Sequence, residues 1–190
     1  MPLDPAPLVY VMGPSGAGKD SVLGYARANL DRRDKIVFAH RYITRAPELS
    51  GENHVALTKP EFEMRKAGGL FLFDWQAHET FYGIGIEARS WCDVGMTVVM
   101  NGSRRHFTAL DPRPKAIVPI VITAPVEILA KRLAKRARET EDQILERLQR
   151  EAELPDDPAT IVIDNSSALE IAGRRFIAVL RSLARAKVDA

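Results

Sequence analysis

Gly13-Pro14-Ser15-Gly16-Ala17-Gly18-Lys19-Asp20-Ser21 follows an apolar run at residues 8–12 and leads into residues 21–30, which read as a helix. The apolar run reads as a buried strand, and strand, glycine-rich turn and helix is the context in which a G-x-x-x-x-G-K spacing carries meaning. Its chemistry is anion capture. Glycines let successive backbone N–H groups converge on one concavity. The helix N-terminus adds positive potential there, and Lys19 sets a cation where the outer phosphates of a nucleoside triphosphate would lie. Residues 13–21 are therefore candidate triphosphate-binding residues. One position departs from the usual loop: the hydroxyl side chain that follows the lysine and meets magnesium is replaced by Asp20. The reading is a triphosphate site with altered metal handling.

Composition narrows the remaining classes. At 190 residues the chain fits one domain with a substantial core. A hydrophobic fraction of 46% and a charged fraction of 27% belong to a soluble globular protein. A net charge of +2 gives no reason to expect nucleic acid as a partner. The single cysteine, Cys92, excludes an internal disulfide and suits a reducing compartment. No apolar stretch approaches membrane-spanning length, and no basic region followed by an apolar core opens the chain. The expectation is a cytoplasmic protein with no membrane partner. Neither repeats nor low-complexity segments are visible.

Beyond the loop, residues 36–39 form a short apolar run and residues 41–45 continue in an extended pattern. Residues 46–58 carry turn formers without helical period. A helix is expected at 59–67, with Pro60 in its first turn and Gly68-Gly69 ending it. A strand is expected at 70–75 and a helix at 86–92. Runs at 96–100, ending in Asn101-Gly102-Ser103, and at 117–123 read as buried parallel strands. Residues 126–137 and 141–153 are amphipathic helices, with Leu129, Leu133, Ile144 and Leu148 on their apolar faces. A last strand at 160–163 leads to Asn165-Ser166-Ser167, read as the cap of a final helix to about residue 186. Strands alternating with helices predict an α/β fold with a central parallel sheet. Residues 40–85 look like an insertion forming a small lobe on a core of residues 1–39 and 86–190. Sites in such sheets lie at the carboxyl ends of the strands, where the loop, residues 41–45 and residues 101–104 fall.

Several separated blocks, in one order over nearly the whole chain, resemble the guanylate-kinase family of P-loop NTPases. They are the phosphate loop, Thr44-Arg45-x-Pro47, Gly51-Glu52, Phe73-Asp74-Trp75, Tyr82-Gly83 and Arg132-Leu133-x-x-Arg136-x-x-Glu139. Finer features are similar to its ribose 1,5-bisphosphate phosphokinase branch, a family of bacterial phosphonate breakdown. These are Gly18-Lys19-Asp20-Ser21, His40-Arg41-Tyr42-Ile43-Thr44-Arg45, Glu52-Asn53-His54-x-Ala56-Leu57, Tyr82-Gly83-Ile84-Gly85 and Asn101-Gly102-Ser103-Arg104. The resemblance implies a kinase that uses ATP and Mg2+ to phosphorylate the 1-phosphate of ribose 1,5-bisphosphate, giving 5-phosphoribosyl 1-diphosphate. A nucleoside monophosphate (guanylate) kinase is the alternative. A non-catalytic binding module on the same fold is disfavoured, because the loop glycines, Lys19 and the lid arginines are all present. The partners implied are small molecules, with a homodimer left open.

The resemblance also assigns residues. Lys19, Arg132, Arg136 and Arg138 would be catalytic, the arginines belonging to a mobile lid at about 132–147. Asn165 would join the loop in holding ATP. Arg41, Arg45, Asp74, Tyr82, Asn101 and Arg147 would meet the acceptor. Guanylate kinases place a base-contacting serine at the position of Arg41 and an arginine at that of Glu48. An arginine in place of the serine favours a second anionic group over a purine, because its planar fork binds phosphate bidentately. Related kinases carry an aspartate near Asn101, so the carboxylate looks exchanged: absent from the strand end, present in the loop as the candidate metal ligand Asp20. A phosphate acceptor is already ionised near neutral pH and needs no general base. The four histidines (His40, His54, His78, His106) read as local hydrogen-bonding residues, and Lys131 and Lys135 as solvated.

Overall fold

Leu8–Met12 (β1) is buried at every position, and so is Thr97–Asn101 (β7). Strands in that condition have cover on both faces, as the middle of a parallel sheet requires. In the computed structural model, which describes residues 6–46, 54–77, 79–112, 114, 116–134, 148 and 157–186, five parallel strands run in the order β2-β7-β1-β8-β9. Here β2 is Ile36–Phe38, β8 is Ile117–Thr123 and β9 is Ile161–Asp164. Period two divides β1 between two cores. Val9 and Val11 pack with Val99, Ile120, Ile122 and Ile163 against three helices: α1 (Lys19–Asn29), α5 (Val126–Ala134) and α6 (Leu169–Arg185). Leu8, Tyr10 and Met12 pack on the opposite side with Val98, Met100, Phe107 and Val121.

A second, four-stranded sheet covers that opposite side, in the order β4-β3-β6-β5: β3 is Arg41–Ile43, β4 His54–Ala56, β5 Phe71–Ala77 and β6 Thr80–Gly85. Register assigns its faces, since residues directly opposite share a face. Arg41 stands opposite Ile84 and His54, Ile43 opposite Tyr82, and Tyr82 opposite Trp75. Ile84, Phe73 and Trp75 of this face join the core around Tyr10. The other face carries Tyr42, Phe71 and Phe81; Phe71 stacks on Phe62 of α2 (Lys59–Ala67), Phe81 meets Phe62 at a tilt, and Tyr42 packs on Phe71. An irregularity in pairing between Phe71 and Phe73 puts Phe71 on the α2 side.

Expected and observed boundaries differ by one or two residues in most elements. The helix at 59–67 matches, with Thr58 accepting from the Glu61 amide as its cap and Pro60 in the first turn. Two features differ in kind. The short helix α4 (Arg104–Thr108) after β7 was not foreseen; α3 (Glu87–Asp93) was. Asn165-Ser166-Ser167 does not cap the final helix, which begins at Leu169 after Ala168 with no side-chain cap bond. Instead Asp164 accepts from the backbone and hydroxyl of Ser166, freeing Asn165 for the phosphate loop. The segment around Pro47 and Glu48, His78, and the helix expected at 141–153 lie outside the described residues, apart from Leu148, which is buried in the α1–α5–α6 core. Among the described residues no helix is long and apolar enough to cross a membrane.

Candidate active site

The phosphate loop leaves β1 and enters α1 through Gly18, which has φ +79°. A β-carbon there would sit 2.6 Å from Asn165 Nδ2, so only glycine fits both the dihedral and the space. The first-turn amides of α1 face outward from the helix end without intrahelical partners. Lys19 Nζ donates to the carbonyls of Gly13 (2.8 Å) and Pro14 (3.2 Å). The ammonium thus lies over the loop, at the concavity the sequence predicts. Three other residues fix the loop from behind. Asn165, at the end of β9 and buried, donates Nδ2 to the Ala17 carbonyl at 2.8 Å. Its own carbonyl accepts from Arg132 Nη2 at 2.8 Å, and Arg132 Nη1 lies 3.5 Å from the Gly16 carbonyl. Leu133, one residue on, packs against Gly16. Arg132 therefore sits against the loop, with its guanidinium bonded to two backbone segments. Lys135, Arg136, Arg138 and Arg147 lie outside the described residues.

Asp20 and Asn101 meet. Asn101 Nδ2 donates to Asp20 Oδ1 at 2.8 Å, linking the first turn of α1 to the end of β7. Asp20 is exposed, whereas Asn101 is 8% exposed. The amide's other end, Oδ1, is buried with no hydrogen-bond partner. An orphan acceptor of that kind costs about 1–3 kcal/mol unless a donor arrives. A magnesium ion keeps several waters and takes oxygen ligands. A carboxylate beside an amide oxygen that lacks a donor fits such an ion with its hydration shell. No cluster of three or more His, Cys, Asp or Glu is placed to hold a metal among the described residues, so phosphate oxygens and water would supply the other ligands.

Facing the loop side, the smaller sheet presents Arg41, whose guanidinium lies 5.6 Å from the Tyr82 ring centroid. Thr44 anchors the chain between Arg41 and Arg45: its amide donates to Phe81 O and its hydroxyl accepts from Phe81 N. Arg41 and Tyr82 are thus carried by adjoining strands, with Arg45 in the bend two residues past β3. Asp74 is not brought together with them. It stands opposite Gly83, on the α2 face, and is ion-paired with Lys66 of α2. Pairing with Asp74 holds the Lys66 ammonium above its usual range. A groove of about 800 Å³ lined by Tyr25, Arg174, Arg181 and Arg185 lies elsewhere, against the C-terminal half of α1. Asn29 on its wall is ten residues from Lys19, about 15 Å along the helix, so it is not part of this site.

Known proteins place the chain. It is 48% identical over 180 residues to a ribose 1,5-bisphosphate phosphokinase PhnN of Burkholderia pseudomallei, covering 94% of this chain and 97% of that one. It is 45% identical over 179 residues to the protein of that name from Psychromonas ingrahamii, covering 93% and 91%. The chain belongs to the ribose 1,5-bisphosphate phosphokinase family. No family model matches it. In fold it is similar to a guanylate kinase from Anaplasma phagocytophilum, with a TM-score of 0.64 and 19% identity over 96% of this chain and 88% of that one. That likeness shows the fold alone, which is the α/β, guanylate-kinase-like architecture the motifs implied. As a member of the phosphokinase family the protein is an enzyme of the kinase class.

The sequence reads His106 as a local hydrogen-bonding residue, which its bond to Tyr10 bears out, but does not show its place between the two sheets of this phosphokinase-family chain. Tyr10, Trp75 and His106 meet there, with Trp75 and His106 stacked at 5.0 Å. The signal available was the alternation of Phe73 with Trp75 and of Tyr82 with Ile84. His106 had none, because α4 itself was not foreseen.

Proposed function

We propose that the protein transfers the terminal phosphoryl group of ATP to the 1-phosphate of ribose 1,5-bisphosphate, giving 5-phosphoribosyl 1-diphosphate and ADP. A face carries this reading. Arg41 and Tyr82 project from the same side of the smaller sheet as Trp75, Phe73 and Ile84, the side that packs on β1 beside the phosphate loop. The acceptor would lie between that face and the loop, with residues 40–85 as its lobe.

The loop amides and Lys19 hold the donor phosphates and oppose the charge that builds on the bridging oxygen as it leaves. Arg132 and Asn165 keep the loop in shape. Arg41 and Arg45 hold the acceptor's phosphates, one of which presents an ionised oxygen to the donor. Because that oxygen carries no proton to be removed, positioning and charge neutralisation supply the catalysis. Asp20, directly or through water, and Asn101 Oδ1, through water, would hold Mg2+. Bound there, the ion would supply positive charge against the phosphate oxygens. Closure of a lid at about 132–147 would exclude water and add Arg136 and Arg138.

The test is an ATP-dependent assay with ribose 1,5-bisphosphate beside GMP, the product identified by phosphorus NMR. The expected product carries a diphosphate at C1 of the sugar. Turnover of GMP without turnover of the sugar bisphosphate would replace this reading by the guanylate-kinase one.

A further inference from the structure

Tyr10 lies three residues before the phosphate loop on β1 and is fully buried. Its hydroxyl approaches His106 Nδ1 at 2.8 Å, the Ser103 carbonyl at 3.1 Å and the Ser103 amide at 3.2 Å. Gly102 permits this approach, since a β-carbon there would overlap the Tyr10 ring. His106 in turn carries the smaller sheet. Its ring stacks on Trp75 with centroids 5.0 Å apart and planes 26° apart, and meets Phe73 edge-on at 5.6 Å. Trp75 stacks on Tyr82 at 5.5 Å with planes 5° apart, and Arg41 lies over Tyr82. Contacts therefore run without a break from the strand feeding the phosphate loop to the arginine on the acceptor face. His106 is the link that touches one side by a hydrogen bond and the other by its ring.

We propose that His106 is a positioning residue: it sets the acceptor face of the smaller sheet at its working distance from the phosphate loop. The inference rests on the acceptor-site reading given above. An apolar ring at 106 would keep the stack but leave the buried Tyr10 hydroxyl with one partner fewer. An amide would keep a hydrogen bond but lose the flat surface under Trp75. An imidazole does both. Burial lowers its pKa, against the pull of Asp74, so the neutral ring is the form at neutral pH. That form stacks without a desolvated charge.

A double-mutant cycle tests this. His106→Phe keeps the ring and removes the bond; Tyr10→Phe removes that bond together with the two to Ser103. His106→Phe should lower kcat about tenfold and Tyr10→Phe at least as much, while the KM for ATP stays within about twofold, and the double variant should be no worse than Tyr10→Phe alone. His106→Leu, which also removes the ring, should in addition raise the KM for ribose 1,5-bisphosphate about tenfold. The same cycle is read by urea unfolding with no substrate present, where the two substitutions should again be non-additive. Wild-type kcat in folded His106→Phe, or single effects that multiply in the double variant, would overturn the proposal. Failure of the wild-type protein to use ribose 1,5-bisphosphate would instead overturn the functional reading. The unfolding cycle would still report the link, and kcat would then be read with GMP.

Discussion

Exchanging the carboxylate and the amide of Asp20 and Asn101 separates a designed metal corner from an incidental contact. Asn101→Asp alone replaces the donor of the 2.8 Å bond with a second carboxylate. With charge centres about 4 Å apart, repulsion amounts to about 1 kcal/mol in water and about 4 kcal/mol at the effective dielectric of a protein surface. Asp20 is exposed, so the low end governs. Adding the lost charge-assisted bond at the low end of its range, about 1.5 kcal/mol, gives about 2.5 kcal/mol of destabilisation, or about 5–10 °C in Tm for a domain of this size. The sign with pH follows from linkage. Crowding raises the folded pKa of a carboxyl above its unfolded value, so the folded state holds the extra proton. The deficit is then absent below about pH 4 and grows as pH rises through the raised value. Magnesium should reverse it, raising the Tm of Asn101→Asp more than that of the wild type. In Asp20→Asn with Asn101→Asp, the bond reforms in the opposite sense and at least half of the lost stability returns. Thermal scans with EDTA or with millimolar magnesium, at pH 4 and pH 7.5, measure all of this. A single variant as stable as wild type at pH 7.5 in EDTA, or a double variant no better than the single, would refute the reasoning.

Lys19→Ala should keep its circular-dichroism spectrum and lose about 100- to 1,000-fold in kcat, the scale of removing one charge-stabilising donor; near wild-type turnover would remove the loop from the mechanism. Arg41→Ser should raise the KM for ribose 1,5-bisphosphate by about 10- to 100-fold with the KM for ATP unchanged, and equal losses would move Arg41 out of the acceptor site. Arg181 of α6 bonds Asp34 through Nε and Nη2, which holds the Asp34 carboxyl below its usual range. That stabilisation is present above the unfolded pKa and is lost as pH falls through the lowered one. Arg181→Leu should therefore unfold more readily in urea at pH 7, with the difference vanishing on acidification below about pH 3. The pH dependence of kcat/KM for the acceptor should show one ionisation near pH 6, that of a phosphate monoester, and persist in His40, His54 and His106 variants. Its loss in any of them would point to a general base.

The parallel sheet was legible because both-face burial writes itself as unbroken apolar runs at residues 8–12, 96–100 and 117–123. Patterns that alternate on a half-buried surface were harder to place. β6, with Tyr82 and Ile84 on one face and Phe81 and Gly83 on the other, was seen only as part of a strand-rich segment. That Asp20 and Asn101 act on one corner was legible as an exchange of a carboxylate between two positions 81 residues apart, but their direct hydrogen bond was not. Asn165, read as an ATP-binding residue and as part of a helix cap, bonds the loop backbone at Ala17 and does not cap the helix. Local pattern favours a cap at Asn-Ser-Ser, while the tertiary structure spends the amide on Ala17. Asp74 shows the limit of motif transfer. Its block matches the family, yet strand alternation turns its carboxylate to Lys66 and turns Phe73 and Trp75 to the cleft.

The division of cations between the two sides of the site is what a phosphate acceptor demands. Donor and acceptor are both polyanions, and each must be held before they meet. Lys19 and Arg132 belong to the loop side, bonded to Gly13, Pro14, Gly16 and Asn165 carbonyls. Arg41 belongs to the other side, braced by Tyr82 and, through Trp75 and His106, by the strand that carries the loop. Had all the cations stood on one rigid wall, closing the second substrate on the first would leave its outer phosphate facing water or like charge. Cations on two walls instead let each anion arrive neutralised. A joint between the walls then sets the distance at which an acceptor oxygen faces the donor phosphorus. An uncharged acceptor such as an alcohol would call for a base in that gap. His106, between the two sheets, is instead already bonded to Tyr10 and stacked on Trp75.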